Sequence, residues 1–197
     1  MSDVLAAAKE VCEWLDAERF RSCVIGGLAV QRWGEPRLTR DVDLTVMAEI
    51  GREEAIVDAC LARFAARMQD ARDFALRHRV LLVRAGNGVD LDLALGASSF
   101  EIGSLAHATT HEFASGCVLR TCSAEDLIVH KSVAARPRDI ADINGIVNRQ
   151  AGKLDLAYVR RWLRLFAEIK EDPDLARPFD EALKAATAAA AKRKKAR

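Results

Sequence analysis

The sequence predicts an α/β fold of the α+β kind, a mixed sheet flanked by helices and followed by a helical lobe. Three observations predict it. A short apolar run, Ser22 to Ile25, stops at Gly26-Gly27, and Asp41 to Met47 (DVDLTVM) then alternates polar and apolar residues. Two strand-like runs flank Ala85-Gly86-Asn87-Gly88, whose Asn and Gly accept positive φ and so favour a hairpin. From Ser123 onward only helical patterns follow. The expected division is a core over residues 1–121 and a helical lobe over residues 122–197.

In chain order, Ser2 to about Arg19 reads as an amphipathic helix, with Val4, Leu5, Ala8, Val11, Cys12 and Leu15 on one face. The strand Ser22 to Ile25 closes on the Gly26-Gly27 turn. Leu28 to Trp33 forms a helix that Gly34 and Pro36 end. Asp41 to Met47 is a strand with one face in the core. Residues from about Arg52 to Met68 read as one helix. Val80 to Arg84 and Val89 to Leu95 make the hairpin, and Thr109-Phe113 with Cys117-Thr121 make a weaker one. Ser123 and Asp126 resemble a capping box opening a helix to about Ala135. Pro137 punctuates it, a second helix follows to about Arg149, Asp155 caps a third to about Lys170, and a last helix follows Pro173.

Half of the 197 residues are hydrophobic and 30% are charged, with a formal net charge of +1, which argues against a globally basic protein that coats nucleic acid. The basic end, Ala188 to Arg197, reads either as a frayed solvated helix end or as a contact for RNA phosphates. No apolar run approaches the roughly 20 residues of a membrane helix. The N-terminus lacks the basic start and apolar core of a signal peptide. The expected location is therefore the cytoplasm, with no membrane partner. Five scattered cysteines fit free thiols in a reducing compartment. The spacing of Cys117, Cys122, His107 and His111 matches no standard zinc pattern.

Chemistry concentrates around Asp41 and Asp43. At i and i+2 of a strand, both side chains leave the same face. Two adjacent carboxylates repel unless something positive lies between them. A hard divalent cation with oxygen ligands, magnesium above all, answers that need and pairs carboxylates with substrate phosphates. Asp90 and Asp92 repeat the spacing, and a strand beside the first would let three carboxylates converge. Two metal ions about 3.5–4 Å apart then stabilise the attacking and leaving oxygens of a phosphoryl transfer. Upstream, Gly26-Gly27 ends a strand and opens a helix, a setting in which backbone N–H groups bind anions.

The stretch VIGGLAVQRWGEPRLTRDVDLTV resembles the signature of the polymerase-β-like nucleotidyltransferases, and within that superfamily the AbiEii-type enzymes, known mainly as toxins of type IV toxin–antitoxin pairs. The segment SAEDLIVHKSVAARPRDIADINGIV resembles the helical motif of the same family. The resemblance implies a minimal nucleotidyltransferase fold that transfers NMP from an NTP to an acceptor hydroxyl, on an RNA 3′ end such as that of tRNA or on a protein. It implies that Gly26 and Gly27 hold the nucleotide's phosphates and that Asp41, Asp43 and Asp90 bind two magnesium ions. Asp92 stays open as the alternative third carboxylate. Lys131 is implied to reach triphosphate oxygens and Asp139 to belong to the site, with Asp142 beside it. A cognate antitoxin is implied as regulator.

Plainer readings stand beside these. Lys131 also reads as an exposed helix lysine, and Asp139 and Asp142 as residues favouring a helix's positive end. Arg37 and Arg40 flank the catalytic strand, either to steady phosphates or as surface residues. A nucleotide-binding regulatory partner of the same fold, and a transferase acting on an antibiotic, are the competing functions.

Overall fold

The computed structural model describes residues 2–195, with side chains to residue 192. The basic end of the chain therefore lies partly outside the described residues. The described chain falls into two compact units. One takes in Met1–Ala29 and Leu38–Ser123, the other Val30–Arg37 and Ala124–Arg197.

The first unit holds the whole sheet. Its elements are α1 (Asp3–Ala17), β1 (Ser22–Val24), the start of α2 (Gly26–Trp33), β2 (Asp41–Met47), α3 (Glu53–Arg63), β3 (Ala65–Ala66), α4 (Ala71–His78), β4 (Val80–Arg84), β5 (Asp90–Gly96), α5 (Ser99–His107), β6 (Thr109–Ala114) and β7 (Cys117–Thr121). The strands lie in the order β3-β4-β5-β2-β1-β7-β6. β2 pairs with β5 in parallel and β1 with β7 in parallel, while the other neighbours run antiparallel. The sheet is mixed, as the pattern predicts.

Alternation in β2 and β5 decides which residues enter the core. Val42, Leu44, Leu91 and Leu93 are wholly buried, and α1 packs Ala7, Ala8, Val11 and Leu15 into the same core. Asp41, Asp43, Asp90 and Asp92 take the intervening positions on the other face. Ser2 caps α1 by accepting from the Leu5 amide.

One predicted helix is shorter than its pattern suggests. The stretch from Arg52 to Met68 is helical only to Arg63; Ala65 and Ala66 then pair with Arg84 and Val83 of β4. Alanine favours helix by propensity, and sheet pairing overrides that weak preference. The pattern also passes over α4 and α5, both short. α5 carries a full capping box, in which Ser98 accepts from the Glu101 amide and Glu101 accepts from Ser98.

The second unit contains the rest of α2 with α6 (Ala124–Ala134), α7 (Pro137–Arg149), α8 (Leu156–Lys170) and α9 (Arg177–Lys195). Pro137 occupies the first turn of α7, where its missing N–H costs nothing. Asp155 caps α8 by accepting from the Tyr158 amide at 2.9 Å. The segment after α2 is strapped to α7: Gln150 donates to the Trp33 carbonyl at 3.0 Å, and Arg149 donates to that of Gly34. A Cβ at Gly145 would stand 3.0 Å from the Glu35 nitrogen, so glycine permits this close approach. No described helix is long and apolar enough to cross a membrane.

Candidate active site

The parallel pairing of β2 and β5 sets Asp41 opposite Asp90 and Asp43 opposite Asp92. Neighbouring strands lie about 4.8 Å apart, and register partners point to the same face. Four carboxylates are thereby concentrated on one patch of sheet. Such a patch is stable only if each negative charge finds a donor or a cation.

The two pairs find different partners. Asp41 accepts from the Thr39 hydroxyl at 2.9 Å, and Asp43 accepts from the Gly27 amide at 3.4 Å. Both of these donors are neutral. On β5, Arg84 donates to Asp90 at 2.8 Å, Arg67 lies 3.3 Å from Asp90, and Arg67 also donates to Asp92. The β5 charge is thus met by guanidinium groups. Among the described residues, no set of three His, Cys, Asp or Glu side chains is gathered as a metal site would gather it.

The Gly-Gly turn is built around Asp43. Gly26 adopts φ +58°, and a Cβ there would fall 1.8 Å from Asp43 Oδ2 and 2.6 Å from its Cβ. A Cβ at Gly27 would fall 2.3 Å from the Thr39 hydroxyl oxygen. Both glycines are therefore required by close approach, and Gly26 also by its backbone conformation. The turn brings a peptide N–H to the carboxylate of β2. An all-oxygen donor set with neutral supports suits a hard divalent cation such as magnesium. Arg40, also in this unit, is exposed.

Lys131, Asp139, Asp142 and Arg37 form a cluster of their own within the helical unit. Lys131 is only 5% exposed, Asp139 0% and Asp142 5%. Lys131 Nζ lies 2.8 Å from Asp139 and 2.9 Å from Asp142. Arg37 donates to both oxygens of Asp142 at 2.8 and 2.9 Å, and Arg136 donates to Asp139 at 2.7 Å. This corrects the plain reading of Lys131 as an exposed helix lysine: its ammonium is buried between two carboxylates. Arg37 is likewise an internal ion-pair member rather than a free surface residue. Burial alone would raise the carboxyls of Asp139 and Asp142. Hydrogen bonds from Arg136 and Lys131 to the first, and from Arg37 and Lys131 to the second, instead hold both below the ordinary value.

Sequence reasoning missed Thr39, Arg67, Arg84 and Arg136. Arg84 was legible in principle, because it faces Asp90 across the predicted hairpin. Arg67 was hidden by its assignment to a helix.

The family described as "Nucleotidyl transferase AbiEii toxin, Type IV TA system" matches residues 17–197. Among solved structures, an antigenic nucleotidyltransferase-like protein from Paracoccidioides brasiliensis aligns with a TM-score of 0.52 at 18% identity, covering 91% of this chain and 93% of that one. The antibiotic-resistance factor ANT(2'')-Ia in complex with adenylyl-2''-tobramycin aligns with a TM-score of 0.46 at 18% identity, covering 92% and 97%. At that identity the first likeness speaks for the fold. No curated protein sequence matches the chain.

Two predictions follow from the geometry. Gly26→Ala meets both a disfavoured backbone conformation and the Asp43 side chain, and should cost at least about 1–2 kcal/mol in thermal or urea unfolding; a variant as stable as the wild type would contradict the close approach. The second concerns pH. A carboxyl with a depressed folded pKa stabilises the fold above its unfolded value, and that stability is lost as pH falls through the folded value. The stability gap between wild type and Asp142→Asn should therefore be widest near neutrality and close as pH falls below the ordinary value of 3.8. Urea titrations at a series of pH values test this, and a gap that stays constant into acid contradicts it.

Proposed function

The chain belongs to the AbiEii nucleotidyltransferase family, and from that premise we propose a metal-dependent transfer of NMP from an NTP to an acceptor hydroxyl, with release of pyrophosphate and with the β2 carboxylates as its centre. The observation that carries this reading is the register of β2 and β5, which sets Asp41 and Asp43 beside a second acidic pair and beside the Gly26-Gly27 turn. Magnesium bound there supplies charge neutralisation for the triphosphate and lowers the cost of the charge that develops in transfer.

The chain's own residues prepare that site. Asp41 and Asp43 would hold the metal, and a carboxylate of β5, Asp90 or Asp92, would complete the set. Thr39 and the Gly27 amide orient the first pair through neutral donors. The carboxylate of β5 would also take the acceptor's proton. Within the helical unit, Asp139 and Asp142 act as positioning groups that fix the rotamer of Lys131.

The acceptor we favour is an RNA 3′ end. The helical unit has 18 Lys and Arg against 12 Asp and Glu, whereas the sheet unit has 12 against 17. Arg160, Arg161 and Arg164 of α8 are exposed. A net-positive unit with exposed arginines suits a polyanion better than a protein hydroxyl. The family's type IV pairing supports a toxin held in check by a cognate antitoxin.

The test is incorporation of labelled NTP, with magnesium, into tRNA, into protein and into an aminoglycoside in parallel. RNA labelling by the wild type, and a loss of at least about a hundredfold in Asp43→Ala, is the expected result. Equal labelling by wild type and variant would overturn the catalytic assignment, and label only in protein or aminoglycoside would overturn the acceptor.

A further inference from the structure

Two guanidinium groups on the acidic patch, Arg67 and Arg84, are not used by the chemistry above, and Arg67 is the one that bridges both β5 carboxylates. Arg67 follows the two-residue edge strand β3, and its amide donates to the Leu82 carbonyl at 3.1 Å, which anchors its backbone to β4. Its side chain reaches the face of β5 and pairs with both Asp90, at 3.3 Å, and Asp92. Asp90 keeps a second guanidinium, Arg84, whichever way Arg67 turns. Asp92 does not: among the described residues Arg67 is the one cation paired with it. Asp92 is also the residue that stands in register with Asp43.

We propose that Arg67 is a built-in counter-ion that competes with the divalent metal for Asp92. This rests on the reading of β2 and β5 as the metal site. With no metal bound, Arg67 neutralises the β5 pair and relieves the repulsion between the two strands. Metal bound to Asp41 and Asp43 recruits Asp92 only as Arg67 releases it. Release is possible because Arg67 lies at the sheet margin, directly after a very short edge strand, where local opening costs least. Asp92, which exchanges one partner, thereby becomes the third carboxylate, and Asp90, doubly held, stays a structural ion-pair member. The competition is reciprocal: whatever the Arg67–Asp92 pair contributes is subtracted from metal affinity, and metal loosens Arg67 to the same degree.

The pair is partly solvated, with Arg67 25% and Asp92 36% exposed, so its worth is that of a screened ion pair. Removing it should tighten metal binding by about two- to fivefold. The measurement is Mn2+ affinity by electron paramagnetic resonance, without nucleotide, in wild type, Arg67→Gln, Asp92→Asn and the double variant. Tightening in Arg67→Gln that disappears in the Asp92→Asn background supports the clamp, because the double-mutant cycle isolates the pair. Equal tightening in both backgrounds shows a general charge effect and overturns it, as does unchanged affinity in Arg67→Gln. Arg84→Gln removes the same charge from Asp90 and should tighten Mn2+ less than Arg67→Gln; an equal or larger effect overturns the assignment to Asp92. If Arg67→Gln unfolds, Arg67→Lys serves in its place, keeping charge but losing the two-oxygen fork, with the same cycle and the same readings. Asp41→Asn/Asp43→Asn reports on the underlying site separately: Mn2+ binding unaffected by that change sinks the metal-site reading, whatever Arg67 does.

Discussion

Like-charge repulsion between the acidic strands is the constraint on which the rest of the sheet unit depends. Parallel pairing of β2 and β5 buries Val42, Leu44, Leu91 and Leu93 on one face, and that burial leaves the register no choice on the other. Asp41, Asp43, Asp90 and Asp92 are therefore forced together by the hydrophobic core beneath them. A one-residue slip of either strand would relieve the repulsion but would turn that strand's core side chains, Val42 and Leu44 or Leu91 and Leu93, out to water. The core wins, and the face above it becomes a cation-seeking surface.

That constraint explains why the surroundings look as they do. Neutral donors, Thr39 and the Gly27 amide, serve the β2 pair, whereas guanidinium groups serve the β5 pair. The helical unit solves a related problem differently. Lys131 is buried, and a buried ammonium is tolerated only when paired and hydrogen-bonded. Asp139 and Asp142 meet that need, and each carboxylate is also held by a guanidinium, Asp139 by Arg136 and Asp142 by Arg37.

Much of this was legible in the sequence. Period-two alternation located β2 to the residue, and the Ala85–Gly88 turn located the β4–β5 hairpin, because both signals come from local chemistry. Pro137 and Asp155 marked the starts of α7 and α8 for the same reason. What was not legible depends on partners distant in sequence. The two-alanine strand β3 exists only through its pairing with β4, and it carries Arg67 to residues more than twenty positions away. The burial of Lys131 needs α6 and α7 to pack, and the Arg37–Asp142 pair spans 105 positions. Sequence spacing could name these charges, but not say which would meet.

The most direct measurement is anomalous diffraction from crystals grown with Mn2+ and a non-hydrolysable NTP. The account predicts anomalous density bonded to oxygens of Asp41 and Asp43, with the triphosphate on the same metal. Manganese held elsewhere, with these two carboxylates touching only solvent, would contradict it.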